Sequence, residues 1–204
     1  MDTTGKTAGL ELEELRGDAV RPHLETIAEL RMQVFAEWPY LYDGSLDYEK
    51  AYLEPYLVCP DSLIVLARDG DRAVGATTAI PLEAAEAEMQ APWRQRGERL
   101  QDFLYFGESV VLPEHRGLGL GRRFFALREA HARVLGRSRC CFCSVQRPDD
   151  HPMKPEGYVP NDAFWRRLGY ERIDDMICRF PWTDIGDSRE TEKPLVFWHK
   201  WLSR

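Results

Sequence analysis

The stretch that most limits the fold is FLYFGESVVLPEHRGLGLG, residues 103–121. Phe103 to Leu112 is a run of aromatic and β-branched residues closed by Pro113, as expected of a buried strand. From Arg122 onward Phe124, Phe125, Leu127, Val134 and Leu135 recur at helical spacing. They form one apolar face, and Arg123, Arg128, Glu129 and Arg133 are assigned largely to the opposite one. Arg139 to Val145 reads as the next strand. Two neighbouring strands joined by a helix should lie parallel, so a mixed sheet covered by helices is expected.

RGLGLGR, residues 116–122, joins the first strand to the helix. Glycines at 117, 119 and 121 leave successive backbone N–H groups uncovered, and a bulky anion can approach the chain there. The helix start adds its own free amides, and Arg116 and Arg122 add charge. The turn should therefore bind phosphate. A plain flexible connection is the alternative, but three alternating glycines between arginines favour the anion site. A dinucleotide fingerprint needs a sixth-place glycine, which would be Arg122 counted from Gly117 or Phe124 counted from Gly119. No GxxxxGK[ST] pattern occurs, so a nucleoside triphosphate loop is unsupported.

VVLPEHRGLGLG, residues 110–121, resembles the acyl-CoA signature of the GNAT superfamily of N-acetyltransferases, whose core is [RQ]xxGxG[GA]. Arg116, Gly119 and Gly121 stand at its defined places. NDAFWRRLGY, residues 161–170, resembles the second landmark of that family. The resemblance implies an α/β fold with one GNAT-like domain over residues 9–204. It also implies a mixed central sheet of about six or seven strands flanked by helices, with splayed parallel strands forming the CoA cleft. Acetyl-CoA is then the co-substrate, a primary amine the acceptor, transfer direct, and no metal is implied. Backbone amides around Val110 and Val111 would hold the pantetheine and the acetyl carbonyl. Arg116, Gly117, Leu118, Gly119, Leu120, Gly121 and Arg122 would hold the diphosphate, the leucines mainly through their N–H groups. Asn161 and Trp165 complete the expected cofactor side. Many relatives have a tyrosine general acid where this chain has Trp165, and indole cannot donate a proton usefully. Trp165 is then expected to stack on the cofactor, and Tyr158 or His151 to replace the acid, unless water serves.

An alkyl amine is almost fully protonated at neutral pH, so amine acylation needs a base. Glu108 is the leading candidate. It is the only acid between Phe103 and Leu112 and sits three residues from Val111, where a carboxylate is partly withdrawn from water. Gly107 beside it is a place for a bulge that re-aims Glu108. The rival reading is a non-catalytic acyl-CoA sensor or interaction module. A nucleotide-binding protein is more distant.

The other segments are read around this centre. A length of 204 residues suits one domain. The net charge of −7 argues against general nucleic-acid binding and tolerates a cationic substrate. No apolar run approaches the roughly 20 residues that span a bilayer, and MDTTGKTAGL lacks a secretory core, so a cytoplasmic address is expected. The five cysteines show no paired CxxC spacing, favour neither a disulfide framework nor a zinc site, and read as reduced thiols. Residues 1–8 are expected to be disordered, Leu10 to Val20 to hold an edge strand, and Leu24 to Ala36 to form the first helix. Residues 38–57 begin as a loop and end as a helix, and their tyrosines with Asp43 or Asp47 are candidates for a substrate pocket. Ser62 to Arg68 and Ala73 to Ile80 form a hairpin across Gly70. Residues 81–102 look helical, interrupted at Pro92. Residues 146–162 are a loop, followed by a short helix capped by Asn161. Tyr170 to Phe180 and Leu195 to Trp201 are the last strands. Phe197, Trp198 and Trp201 should pack into the sheet or against a partner, a homodimer included. Acceptor choice, small molecule or peptide, is assigned to residues 38–57, 81–102 and 146–160.

Overall fold

The computed structural model describes residues 9–203, so the expectation for residues 1–8 lies outside it. Seven strands form one mixed sheet: β1 (Leu10–Leu15), β2 (Leu63–Asp69), β3 (Arg72–Pro81), β4 (Phe103–Val111), β5 (Arg139–Val145), β6 (Glu171–Trp182) and β7 (Thr191–Trp201). Their order across the sheet is β1-β2-β3-β4-β5-β7-β6. The β4–β5 pair is parallel and every other neighbour is antiparallel. The helices are α1 (Leu24–Phe35), α2 (Leu46–Val58), α3 (Ala87–Gln95), α4 (Leu120–Val134) and α5 (Asp162–Arg167).

The single parallel pair positions the site. β4 and β5 are paired only from Phe103↔Arg139 to Tyr105↔Cys141. Beyond that point β4 stays bound to β3 as far as Val111, and β5 stays bound to β7 as far as Val145. The strands therefore splay, and the facing edge of β4 carries backbone polar groups with no sheet partner. A second irregularity lies on the same strand: Ala79 pairs with Phe106 but Thr77 with Ser109. Gly107 and Glu108 thus share the place opposite Thr78, which is the bulge expected at Gly107. A Cβ at Gly107 would overlap the Tyr56 hydroxyl and the Thr78 Oγ1, so only glycine lets the bulge lie this close to α2.

Several segments differ from expectation. α3 runs through Pro92, because Met89 and Trp93, one turn apart, bury one face and outweigh one missing backbone bond. α4 begins at Leu120, inside the glycine turn, two residues earlier than expected. Its buried face holds Phe124 and Phe125, as expected, but also Arg128 and Glu129, while Val134 is 79% exposed, against the expected division at those three positions. Glu129 is drawn inward by Lys200, at 2.8 Å, and the Tyr170 hydroxyl. β7 begins at Thr191, earlier than its polar sequence suggested, because the Lys193 ammonium reaches Asp184 at 3.1 Å and the Trp182 carbonyl. Phe197 and Trp198 are fully buried in the chain's own sheet, whereas Trp201 is 58% exposed beneath the Arg139 guanidinium. No helix among the described residues is long and apolar enough to cross a membrane.

Candidate active site

The splay opens into a cleft of about 990 Å³ between β4, β5, α4 and α5. The turn before α4 forms one wall. Gly117 has φ 77° and Gly119 has φ 83°, left-handed conformations that favour glycine, and a Cβ at either would point into open space. Gly119 caps α4, so the amides of Leu120, Gly121 and Arg122 have no intrahelical acceptor. A Cβ on Gly121 would lie 3.4 Å from the Phe164 ring, so this glycine lets α5 close on α4. The result is an amide-lined concavity at the positive end of a 15-residue helix, suited to an anion.

Most of the expected binding residues meet here. Val111, Arg116, Gly117, Gly119, Leu120, Gly121, Arg122, Asn161 and Trp165 line the cleft, as do Glu108 and Tyr158. Val110 and Leu118 do not: Val110 is buried in the core opposite Ala76, and Leu118 packs against that core. The Arg116 guanidinium is committed to both Glu37 oxygens, at 2.8 and 3.1 Å, and to the Val111 carbonyl. It therefore braces the turn against the end of α1. Arg122, where the pattern has Gly or Ala, is exposed in the first turn of α4. Asn161 holds the position before α5 without a side-chain capping bond. Trp165 is packed edge-on against Phe142 and Trp198, at 5.0 and 5.1 Å between centroids. Its ring serves that aromatic cluster as well as the cleft wall. Tyr158 and His151 both lie against Trp38, and of the two only Tyr158 lines the cleft.

At the inner end the cleft meets a second cavity of about 90 Å³, and Phe35, Tyr40, Gly107, Glu108 and Cys143 line both. Tyr42, Tyr48, Tyr52, Tyr105 and Trp182 wall the small chamber. The expected acids Asp43 and Asp47 are exposed and line neither cavity. Their place in the reading is taken by Glu86, in the segment before α3, and Glu108.

Glu108 is 6% exposed and is not a lone carboxylate. Its Oε2 accepts from the Arg31 guanidinium at 2.7 Å and from the Tyr52 hydroxyl at 3.3 Å, while Oε1 has no partner. Arg31 also pairs with Glu49, fully buried on α2, and lies 3.9 Å over the Tyr52 ring. Burial alone would lower the Arg31 pKa, but Glu108 and Glu49 outweigh it and hold the guanidinium well above its ordinary value. On the other face Arg128, 1% exposed, grips the bulge through the carbonyls of Glu108 and Thr78 and the Ser109 hydroxyl. It stacks 4.1 Å over Phe106, and burial pushes its pKa down to about 10. Two cations thus fix Glu108: Arg31 orients the carboxylate and Arg128 the backbone.

Arg31 and Arg128 escaped the sequence reading, though each left a trace. Arg31 falls four residues after Ile27, on the apolar stripe of α1, and Arg128 falls three after Phe125. A charge at helical spacing within an apolar face marks a buried partner.

The model of the Acetyltransferase (GNAT) family matches residues 26–170, over half the chain. No curated protein matches it. Among solved structures, yncA of Salmonella typhimurium, solved with its cofactor acetyl-CoA, is 13% identical. It superposes with a TM-score of 0.60 over 96% of this chain and 95% of that one. Ribosomal-protein-alanine N-acetyltransferase from Brucella melitensis is 14% identical, with a TM-score of 0.61 over 94% and 99%. An acetyltransferase from Thermus thermophilus is 17% identical, with a TM-score of 0.57 over 96% and 99%. At these identities the three share the fold.

Proposed function

We propose, from the premise that the chain belongs to the Acetyltransferase (GNAT) family and is an acyl-CoA-dependent acetyltransferase, that it acetylates the nitrogen of a primary amine by direct transfer. The carrying observation is the free Oε1 of Glu108, held where the large cleft meets the tyrosine-walled chamber. The cleft suits acetyl-CoA: the open glycine turn and free helix amides fit a diphosphate, and the unpaired edge of β4 fits the amides of a pantetheine arm. Acetyl-CoA supplies the acyl group as a thioester, whose C–S bond breaks as the amine's N–C bond forms.

The residues of the chain do the rest. Glu108 Oε1 takes one proton from the bound ammonium, leaving a nucleophilic amine. The second proton lost from nitrogen goes to the departing thiolate, so one alkylammonium and one thioester give one amide, one thiol and one released proton. Arg31 keeps Glu108 in place, and the chamber excludes water from the acyl group. Tyr158, half-buried at the cleft wall, is the candidate acid that delivers this proton, giving its own to the thiolate and regaining one from the nitrogen. The five free cysteines fit a reducing, cytoplasmic setting.

Incubation with acetyl-CoA and a panel of amines, read by mass spectrometry, should give an N-acetylated product with one thiol released per amide. Tight acetyl-CoA binding with no turnover on any amine would favour the sensor instead. Gly119→Val should weaken acetyl-CoA binding at least about tenfold in calorimetry, because a β-branched residue pays about 1–2 kcal/mol at positive φ and turns the amides aside. An unchanged affinity would remove the turn from the site.

A further inference from the structure

We infer that the chamber beside Glu108 selects an acceptor with two cationic centres, a short diamine whose far ammonium is held by Glu86. The inference rests on amine acetylation as proposed above. At about 90 Å³, against about 990 Å³ for the cleft, the chamber has room for a short chain only.

Its charges do not balance. Arg31 is one guanidinium against two carboxylates, Glu49 and Glu108, all three withdrawn from water. One oxygen of each carboxylate, Oε1, has no partner. Glu86 adds a third carboxylate and, with Glu108, lines the chamber; it makes no ion pair among the described residues. Burial pushes the Glu86 carboxyl above its ordinary range; a hydrogen bond from its own backbone N–H offsets part of this, and the charge of Glu108 adds to the rise. The tyrosines of the wall, Tyr40, Tyr42 and Tyr48, are side chains of the kind that attracts cations as well. A monoamine with an apolar tail would satisfy Glu108 and leave Glu86 facing a hydrocarbon chain, which costs free energy. A diamine satisfies both: its near nitrogen meets Oε1 of Glu108 at the cleft, and its far ammonium meets Glu86. The groups that set this preference are Arg31 from α1, Glu49 from α2, Glu108 from β4 and Glu86 itself.

The test compares 1,4-diaminobutane with 1-aminobutane, equal in chain length, as acceptors in the same acetyl-CoA assay. The native chain should prefer the diamine in kcat/KM by on the order of thirtyfold, the scale of a desolvated charge pair. Glu86→Gln, checked for folding by circular dichroism, should lower that ratio about tenfold or more, through KM for the diamine rather than kcat. Equal use of both amines by the native chain, or an unchanged ratio in Glu86→Gln, would overturn the inference. Acetylation of other amines but neither probe would overturn it too and leave amine transfer standing. Acetylation of no amine would mean that the reaction itself had been misassigned.

Discussion

Glu108→Gln should lower kcat by about a hundredfold to ten-thousandfold, the usual contribution of a positioned base, with acetyl-CoA affinity unchanged. Glutamine keeps the volume of the side chain and its carbonyl can still accept from Arg31. Arg31 keeps its second partner, Glu49, so the fold should survive. What disappears is the oxygen free to take a proton, Oε1. The residual rate should then follow the small neutral fraction of the amine in bulk water. It should climb about tenfold per pH unit below the amine pKa, near 10. A variant with native kcat, or one whose loss lies wholly in acetyl-CoA affinity, would take Glu108 out of proton transfer.

The second large effect is on stability. Arg31→Met should destabilise the chain by about 3–5 kcal/mol, the cost of breaking a buried ion pair from one side. The substitution fills similar space but leaves Glu49 and Glu108 close together, desolvated and uncompensated. Adding Glu49→Gln removes one of the two charges and should restore part of the loss, with a coupling that a double-mutant cycle measures by urea denaturation. The double variant should remain slow in turnover, because Glu108 has lost its orienting partner. If Arg31→Met were as stable as the native chain, the guanidinium would not be holding the buried carboxylates.

The cofactor side was legible because its signals are local. The apolar run, Pro113, the alternating glycines and the helical spacing after them all lie within about thirty consecutive residues, where strand, turn and helix chemistry decide the outcome. The splay of β4 from β5 was implied by resemblance and has its physical cause in pairing that stops at Tyr105↔Cys141. The charge network was not legible. Arg31, Glu49 and Glu108 come from α1, α2 and β4 and meet only after the chain has folded. Arg128 shows the same limit from the other side. A helix normally turns its charges to water, yet this guanidinium goes inward because the bulge at Gly107 leaves carbonyls that need a donor. Pro92 was read as a break because backbone rules act locally, whereas the buried Trp93 acts through the core. Asp43 and Asp47 were plausible by proximity to the tyrosines; the chamber is lined instead by acids from distant segments.

The most direct test is a crystal structure of the chain with acetyl-CoA. The diphosphate should lie on the amides of residues 117–122, the pantetheine along the free edge of β4 beyond Tyr105, and the acetyl group beside Glu108 Oε1. Density for the molecule elsewhere on the surface, with the gap between β4 and β5 empty, would contradict this account.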